Sequence, residues 1–170
     1  MDGELWDLTD AAGTPIGRTH RRGDPEFPQG LFHVIAAVCV VRDDGLVLIT
    51  QRAAVKDYAL MWEFPAGSAL TGETSRQAAV RELGEETGLR ADEDALEPVG
   101  RVVEAEALLD LYVVHGLADL TLALDPDEVV DSAWVPLDEV FRRCDDGVMA
   151  GPWIKRMAIL GDTLAEMVPR

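Results

Sequence analysis

Residues 67–89 read GSALTGETSRQAAVRELGEETGL. Thr74 and Gln77 stand at the Thr-x-x-Gln spacing of a capping box, which predicts a helix starting near Thr74. Gly88 suits the left-handed residue that ends such a helix. On it, Ala79 and Leu83 are four apart and face a core, while Glu82 and Glu86 project from a different face with Glu85 beside them. Glu82 then lies one turn from both Glu85 and Glu86. Like charges at these spacings repel by about 0.2–0.5 kcal/mol per exposed pair. Either water or a cation must screen them, and hard divalent ions are the cations that clustered carboxylate oxygens suit.

Outward from this helix the chain reads as a mixture of strands and helices without regular alternation. Upstream, "LFHVIAAVCVVRDDGLVLITQR" is two apolar strands joined at a tight turn, "RDDG". Before it, "ELWDLTDAAGTPIGRTHRRGD" has the Gly- and Pro-containing turn of a hairpin, and "GDPEFPQG" is a loop. "AAVKDYALMWEFPAG" is mostly loop, ending in a short extended piece. Downstream, "LEPVGRVVEAE", "LLDLYVVHGL" and "VVDSAWVPL" are strand-like. "LDEVFRRCDDG" is a short helix, and "PWIKRMAILGDTLAEMV" is a C-terminal helix with Pro152 in its first turn. The expectation is an α+β fold, an α/β/α sandwich around a mixed sheet. It forms one domain over residues 1–170, of which 1–30 are an N-terminal hairpin and loop extension.

Charge narrows the function. Fifteen basic against 32 acidic side chains give a formal net charge of −17, a field that repels nucleic acid and anionic membrane surfaces. An anionic substrate is still allowed if a metal ion reverses the local sign. The two cysteines, Cys39 and Cys144, have no zinc-cluster spacing and are expected to be ordinary reduced thiols. The acidic start "MDGELWDLTD" is unlike a signal sequence, and the longest apolar run, Val34 to Val41, is too short to span a bilayer. A soluble, cytoplasmic protein is expected.

Gly67, Glu73, Arg81, Glu82, Leu83, Glu85, Glu86, Gly88 and Leu89 fall at the defining positions of the Nudix box, a pattern of fixed spacing over 23 residues. "GLVLITQR" and "WEFPAG" also resemble that family's flanks, and most of the chain from Phe32 to Val140 can be read on its pattern. The resemblance implies Mg2+- or Mn2+-dependent hydrolysis of a diphosphate joining a nucleoside to another group. It implies that Glu82, Glu85 and Glu86 are metal ligands, helped by the Gly67 carbonyl, and that Glu73 and Arg81 form a structural ion pair tying loop to helix. In mutator-type relatives a loop glutamate six residues before a strand Trp contributes to the metal site. Glu128 precedes Trp134 at that spacing and is the expected additional ligand or general base, with Glu104 and Glu106 as rivals. Arg52, ending a strand, is expected to reach a substrate phosphate. Trp62, Tyr58 and Phe32 are read as core or loop packing rather than as ring binders, and His20, His33 and His115 as hydrogen-bonded residues rather than ligands.

The N-terminal part resembles the Nudix branch near isopentenyl-diphosphate isomerase. That chemistry needs a cysteine and a histidine in the segment aligned with "WEFPAGSAL", and neither occurs from Trp62 to Leu70. A non-catalytic nucleotide sensor on the same fold is the other alternative, although such proteins usually lose box glutamates and none is lost here. Ala105 stands where the ADP-ribose branch often shows a proline, and the tyrosine of dinucleoside polyphosphate hydrolases is absent there. The box therefore indicates a reaction and leaves the leaving group open. The partner is a small phosphorylated substrate, neither nucleic acid nor membrane, and the extra hairpin suggests a homodimer.

Overall fold

The computed structural model describes residues 3–169. Strands β1 (Leu5–Thr9) and β2 (Pro15–Arg21) form an antiparallel hairpin of their own. Seven further strands make the central sheet: β3 (His33–Val41), β4 (Val47–Arg52), β5 (Trp62–Glu63), β6 (Ala66–Ser68), β7 (Glu97–Val103), β8 (Ala107–His115) and β9 (Val129–Val135). The helices are α1 (Ser75–Thr87), α2 (Leu137–Asp145) and α3 (Gly151–Met167).

The near-continuous apolar run of β3 reflects burial on both faces. Ala36, Val38 and Val40 pack with Ala78, Ala79 and Leu83 of α1. Ala37, Cys39 and Val41 share the opposite core with Val140 of α2 and Trp153, Met157 and Leu160 of α3. This is the expected α/β/α sandwich. Helix α3 presents Trp153, Met157, Leu160 and Leu164 as a stripe at spacings of four, three and four, the period of one helix face. Fully buried Trp153 meets Phe64 edge-on at 5.0 Å.

Pairing within the sheet makes room for a site. β3 runs parallel to β8 in unbroken register from His33↔Ala107 to Val41↔His115 and antiparallel to β6. β4 pairs with β9 and β5. Yet β3 and β4, joined by the turn at Gly45 (φ 80°), share one register pair only, Val41↔Val47. The two strands splay apart beyond that turn, and the space between β3–β6 and β4–β5 is a cavity of about 520 Å³.

The hairpin β1–β2 closes one wall of that cavity. Thr9 and Phe32 exchange backbone hydrogen bonds of 2.8 and 3.0 Å, the Thr71 amide donates to the Leu5 carbonyl at 2.9 Å, and the Gly72 amide donates to Asp7 Oδ2 at 2.8 Å. Trp6 stacks on His33 with centroids 4.1 Å apart. His33 differs from the expectation of a hydrogen-bonded residue: its Nδ1 is buried without a partner, and burial, helped by nearby His20, lowers its pKa to about 4.

Candidate active site

Helix α1 carries the acidic cluster, and its ends are set locally. Thr74 Oγ1 accepts from the Gln77 amide at 3.2 Å while Gln77 Oε1 accepts from the Thr74 amide at 2.9 Å. Gly88 closes the helix at φ 75°, where a Cβ would press on Ala123.

Arg81 is the hub of one side. Its Nε and Nη2 donate to Glu73 at 2.8 and 2.9 Å, Nη2 also donates to the Ser68 carbonyl at 2.9 Å, and Nη1 donates to Glu82 at 2.7 Å and Glu85 at 3.0 Å. Glu73 also accepts from the Leu70 amide at 2.9 Å. Arg81 holds the Glu73 carboxyl below its ordinary range, and the carboxylates raise the Arg81 pKa in return. Burial raises Glu82, against the pull of Arg81. A resident guanidinium therefore already offsets part of the repulsion at Glu82 and Glu85.

Glu86 has no such partner. It is 5% exposed, and its Oε2 is buried with no hydrogen-bond donor among the described residues. Burial first, then Glu63, Glu82 and Glu128 nearby, push its pKa well above the carboxylate range. An unpaired buried carboxylate is costly to ionise, so Glu86 either keeps a proton or needs an added cation. Gly67 faces the same cavity, and a Cβ there would collide with the Glu82 carboxyl group. Only glycine lets that carboxylate lie against the β6 backbone. The donor set is all hard oxygen, which fits Mg2+ or Mn2+. Among the described residues no three His, Cys, Asp or Glu side chains converge as a preformed metal cluster, because Glu82 and Glu85 turn toward Arg81 while Glu86 turns away.

The other expected residues divide cleanly. Glu128 lines the cavity and is paired with Lys56. Glu104 lines it too, clamped by nearly buried Arg156 through two bonds of 2.8 and 2.9 Å. Glu106 does not line it; its backbone carbonyl accepts from the His33 amide. Arg52 lines the cavity and donates from Nη1 to Glu63 at 2.6 Å and from Nε to the Asp57 carbonyl at 2.5 Å. Of the three aromatics considered, Tyr58 alone faces the cavity; Trp62 lies under the Arg143 guanidinium at 4.5 Å.

Sequence reasoning missed Glu63, Arg156 and the hairpin residues Glu4, Trp6 and Arg22, all of which line the cavity. A signal existed for Glu63: a lone carboxylate inside the apolar stretch "MWEF" should be buried and paired. The hairpin residues carried none, because their approach depends on tertiary docking. Among the described residues, nine carboxylates and four cationic side chains line the cavity, and no cysteine or histidine does.

The NUDIX domain model matches residues 31–156. An uncharacterized Nudix hydrolase of Listeria monocytogenes is 35% identical over 142 residues, spanning 81% of this chain and 82% of that protein. An isopentenyl-diphosphate Delta-isomerase of Cereibacter sphaeroides is 31% identical over 140 residues, 75% of this chain and 77% of its own. Among solved structures, a Deinococcus radiodurans protein superposes with a TM-score of 0.71 at 20% identity, covering 86% of this chain and 92% of that one. With the family match spanning most of its length, the chain belongs to the Nudix family of hydrolases.

Proposed function

We propose that this hydrolase cleaves the diphosphate linkage of a nucleoside diphosphate-linked substrate by attack of water at phosphorus. The observation that carries the reading is Glu86, a buried carboxylate with one oxygen lacking a donor among the described residues, beside Glu82 and Glu85 in a cavity otherwise rich in acids. Glu82, Glu85 and Glu86 with the Gly67 carbonyl would hold Mg2+ or Mn2+. Such an ion, when bound, supplies Lewis-acid stabilisation of the charge developing on the phosphoryl oxygens. Arg52, held by Glu63, orients a phosphate. Glu128 accepts a proton from the attacking water, an anhydride P–O bond breaks, and the departing phosphate takes the bonding electron pair. Glu73 and Arg81 hold loop and helix in register. Glu104, spent on Arg156, is the weaker candidate for the base.

The isomerase alternative loses support at the cavity wall, where Ala66, Gly67 and Ser68 stand and no cysteine or histidine contributes. Among the described residues no helix is long and apolar enough to cross a membrane. Both cysteines are free and buried, which supports a cytoplasmic setting. We also propose a homodimer; sedimentation at micromolar concentration showing only an 18.5 kDa species would end that idea.

The experiment is a Mg2+-dependent screen of nucleoside triphosphates, nucleotide sugars, dinucleotides and isoprenyl diphosphates with product identification. Release of a nucleoside phosphate by wild type but not by Glu86→Gln supports the reading. Isomerisation of isopentenyl diphosphate, or no turnover of any diphosphate, overturns it.

A further inference from the structure

Three aromatic side chains line the cavity: Trp6, Tyr58 and Trp153. Trp153 is fully buried against Phe64, and one face of Trp6 is covered by His33. Tyr58 is 50% exposed. Its ring rests against Gly151 at the start of α3, where an added Cβ would fall 3.2 Å from Cε1. It therefore offers a supported ring with free surface toward the cavity.

The backbone beneath that ring is strained. Tyr58 (φ 55°) and Leu60 (φ 61°) are the non-glycine residues at positive φ among those described. The left-handed region costs an L residue roughly 1–2 kcal/mol, and such strain persists only where its surroundings over-determine it. Here they do. Arg52 Nε donates to the Asp57 carbonyl at 2.5 Å, the Met61 amide donates to the Tyr58 carbonyl at 3.1 Å, Gln51 Nε2 donates to the Leu60 carbonyl at 2.8 Å, and Lys56 is tied to Glu128. The same contacts that fix the loop fix it to Arg52 and Glu128. Tyr58 is thus presented beside the guanidinium proposed to orient a phosphate, on a loop that cannot relax without moving it.

We infer that Tyr58 is a specificity-determining residue: its ring is the platform on which the planar base of the substrate stacks. The chain then selects diphosphates that carry a nucleobase over aliphatic ones. This rests on the diphosphate-hydrolase reading for its biological sense, but it concerns binding and can fail separately.

The test is equilibrium binding to the full chain with Mg2+, using the four common nucleoside 5′-monophosphates and, as a ringless control, inorganic pyrophosphate. Wild type is compared with Tyr58→Phe, Tyr58→Leu and Tyr58→Gly. Stacking on an aromatic side chain is lost on truncation, so Kd for the best-bound monophosphate rises about tenfold in the Leu and Gly variants and stays within about twofold of wild type in Phe, where the ring is kept. Pyrophosphate binding is unchanged in all three. Glycine adopts φ 55° freely, so Tyr58→Gly melts no lower than wild type while its nucleotide affinity falls. A merely structural tyrosine would not give that combination. Unchanged nucleotide affinity in the Leu and Gly variants, equal losses for nucleotide and pyrophosphate, or no monophosphate binding by wild type overturns the inference. A failure of the hydrolase reading appears instead as absence of turnover in the diphosphate screen, whatever the monophosphate affinities.

Discussion

The carboxylates of α1 and its loop meet opposite surroundings. Glu73, Glu82 and Glu85 all bond to Arg81. Glu86, five residues further along the same helix, is buried among Glu63, Glu82 and Glu128 with one oxygen unpaired. The first group shares one guanidinium, which offsets part of its charge, and its Glu73–Arg81 pair ties loop to helix. The second retains a deficit that only an added cation or a proton can remove. Like charges one turn apart are thus not equivalent: direction, set by the position of one guanidinium, decides which carboxylates meet a protein cation and which does not.

The largest effect that could break this contrast is on turnover. Glu86→Gln should lower kcat by about 10^3-fold or more, the scale of losing a preorganised electrostatic contact in the transition state, and leave the fold intact. Near-wild-type turnover in a well-folded variant would remove Glu86 from the site. Glu85→Gln, at 59% side-chain exposure, should also lose turnover by orders of magnitude if it is a ligand.

This contrast was only half legible in the sequence. The helix ends were readable because Thr74, Gln77 and Gly88 act on their own neighbours. The strands around β3 were readable because burial on two faces leaves an apolar run. The cluster of glutamates was readable, but their directions only in part. The i,i+4 spacing in "RELGEE" points Arg81 at Glu85 rather than at Glu86, but nothing in it says that Glu82 shares the same guanidinium or that Glu86 is buried. Glu63 stayed hidden because its partner, Arg52, lies eleven residues away, and the hairpin's place on the cavity wall depends on contacts such as Asp7 to Gly72, 65 residues apart. Tyr58, read as packing, does rest against Gly151, but its half-exposed place on the cavity wall has no local signature in the sequence.

A metal-binding measurement sharpens the comparison next. At a hundredfold excess over its dissociation constant, Mg2+ should stabilise the folded chain by about 2.7 kcal/mol, a melting shift of roughly 5–11 °C for a chain of this size. Glu86→Gln should lose most of that shift. Glu73→Gln should keep most of it while lowering the starting temperature, since Glu73 braces rather than binds. Thermal melts with EDTA and with Mg2+ at constant ionic strength separate the two, and equal shifts in both variants would erase the distinction.

Glu128 belongs to the deficit side, yet it is paired with Lys56. Glu128→Gln should cost about tenfold or more in kcat, within the usual reach of a general base, and less than Glu86→Gln. A change under twofold moves the base to Glu104, since Glu106 lies off the cavity wall.

The smallest effect is a pair of opposite pH slopes in the metal-free protein, each at most about 1.4 kcal/mol per pH unit for one proton. Glu73 has a folded pKa lowered by Arg81. Its contribution to stability is present above the unfolded carboxylate value and is lost as pH falls through the lower folded value, because the unfolded chain then binds the proton more readily. Glu86 has a folded pKa raised by burial and by neighbouring carboxylates. The folded chain keeps its proton where the unfolded chain has already lost one, so this contribution is fully present below the unfolded value and is lost as pH rises toward the folded one. Glu73→Gln should therefore flatten the acid side of the stability profile, and Glu86→Gln should flatten the fall above the unfolded carboxylate pKa. Chemical denaturation in EDTA across that range reads both slopes. If Glu86→Gln leaves the profile unchanged, Glu86 finds a partner in solution, and the asymmetry between the two sides of Arg81 disappears with it.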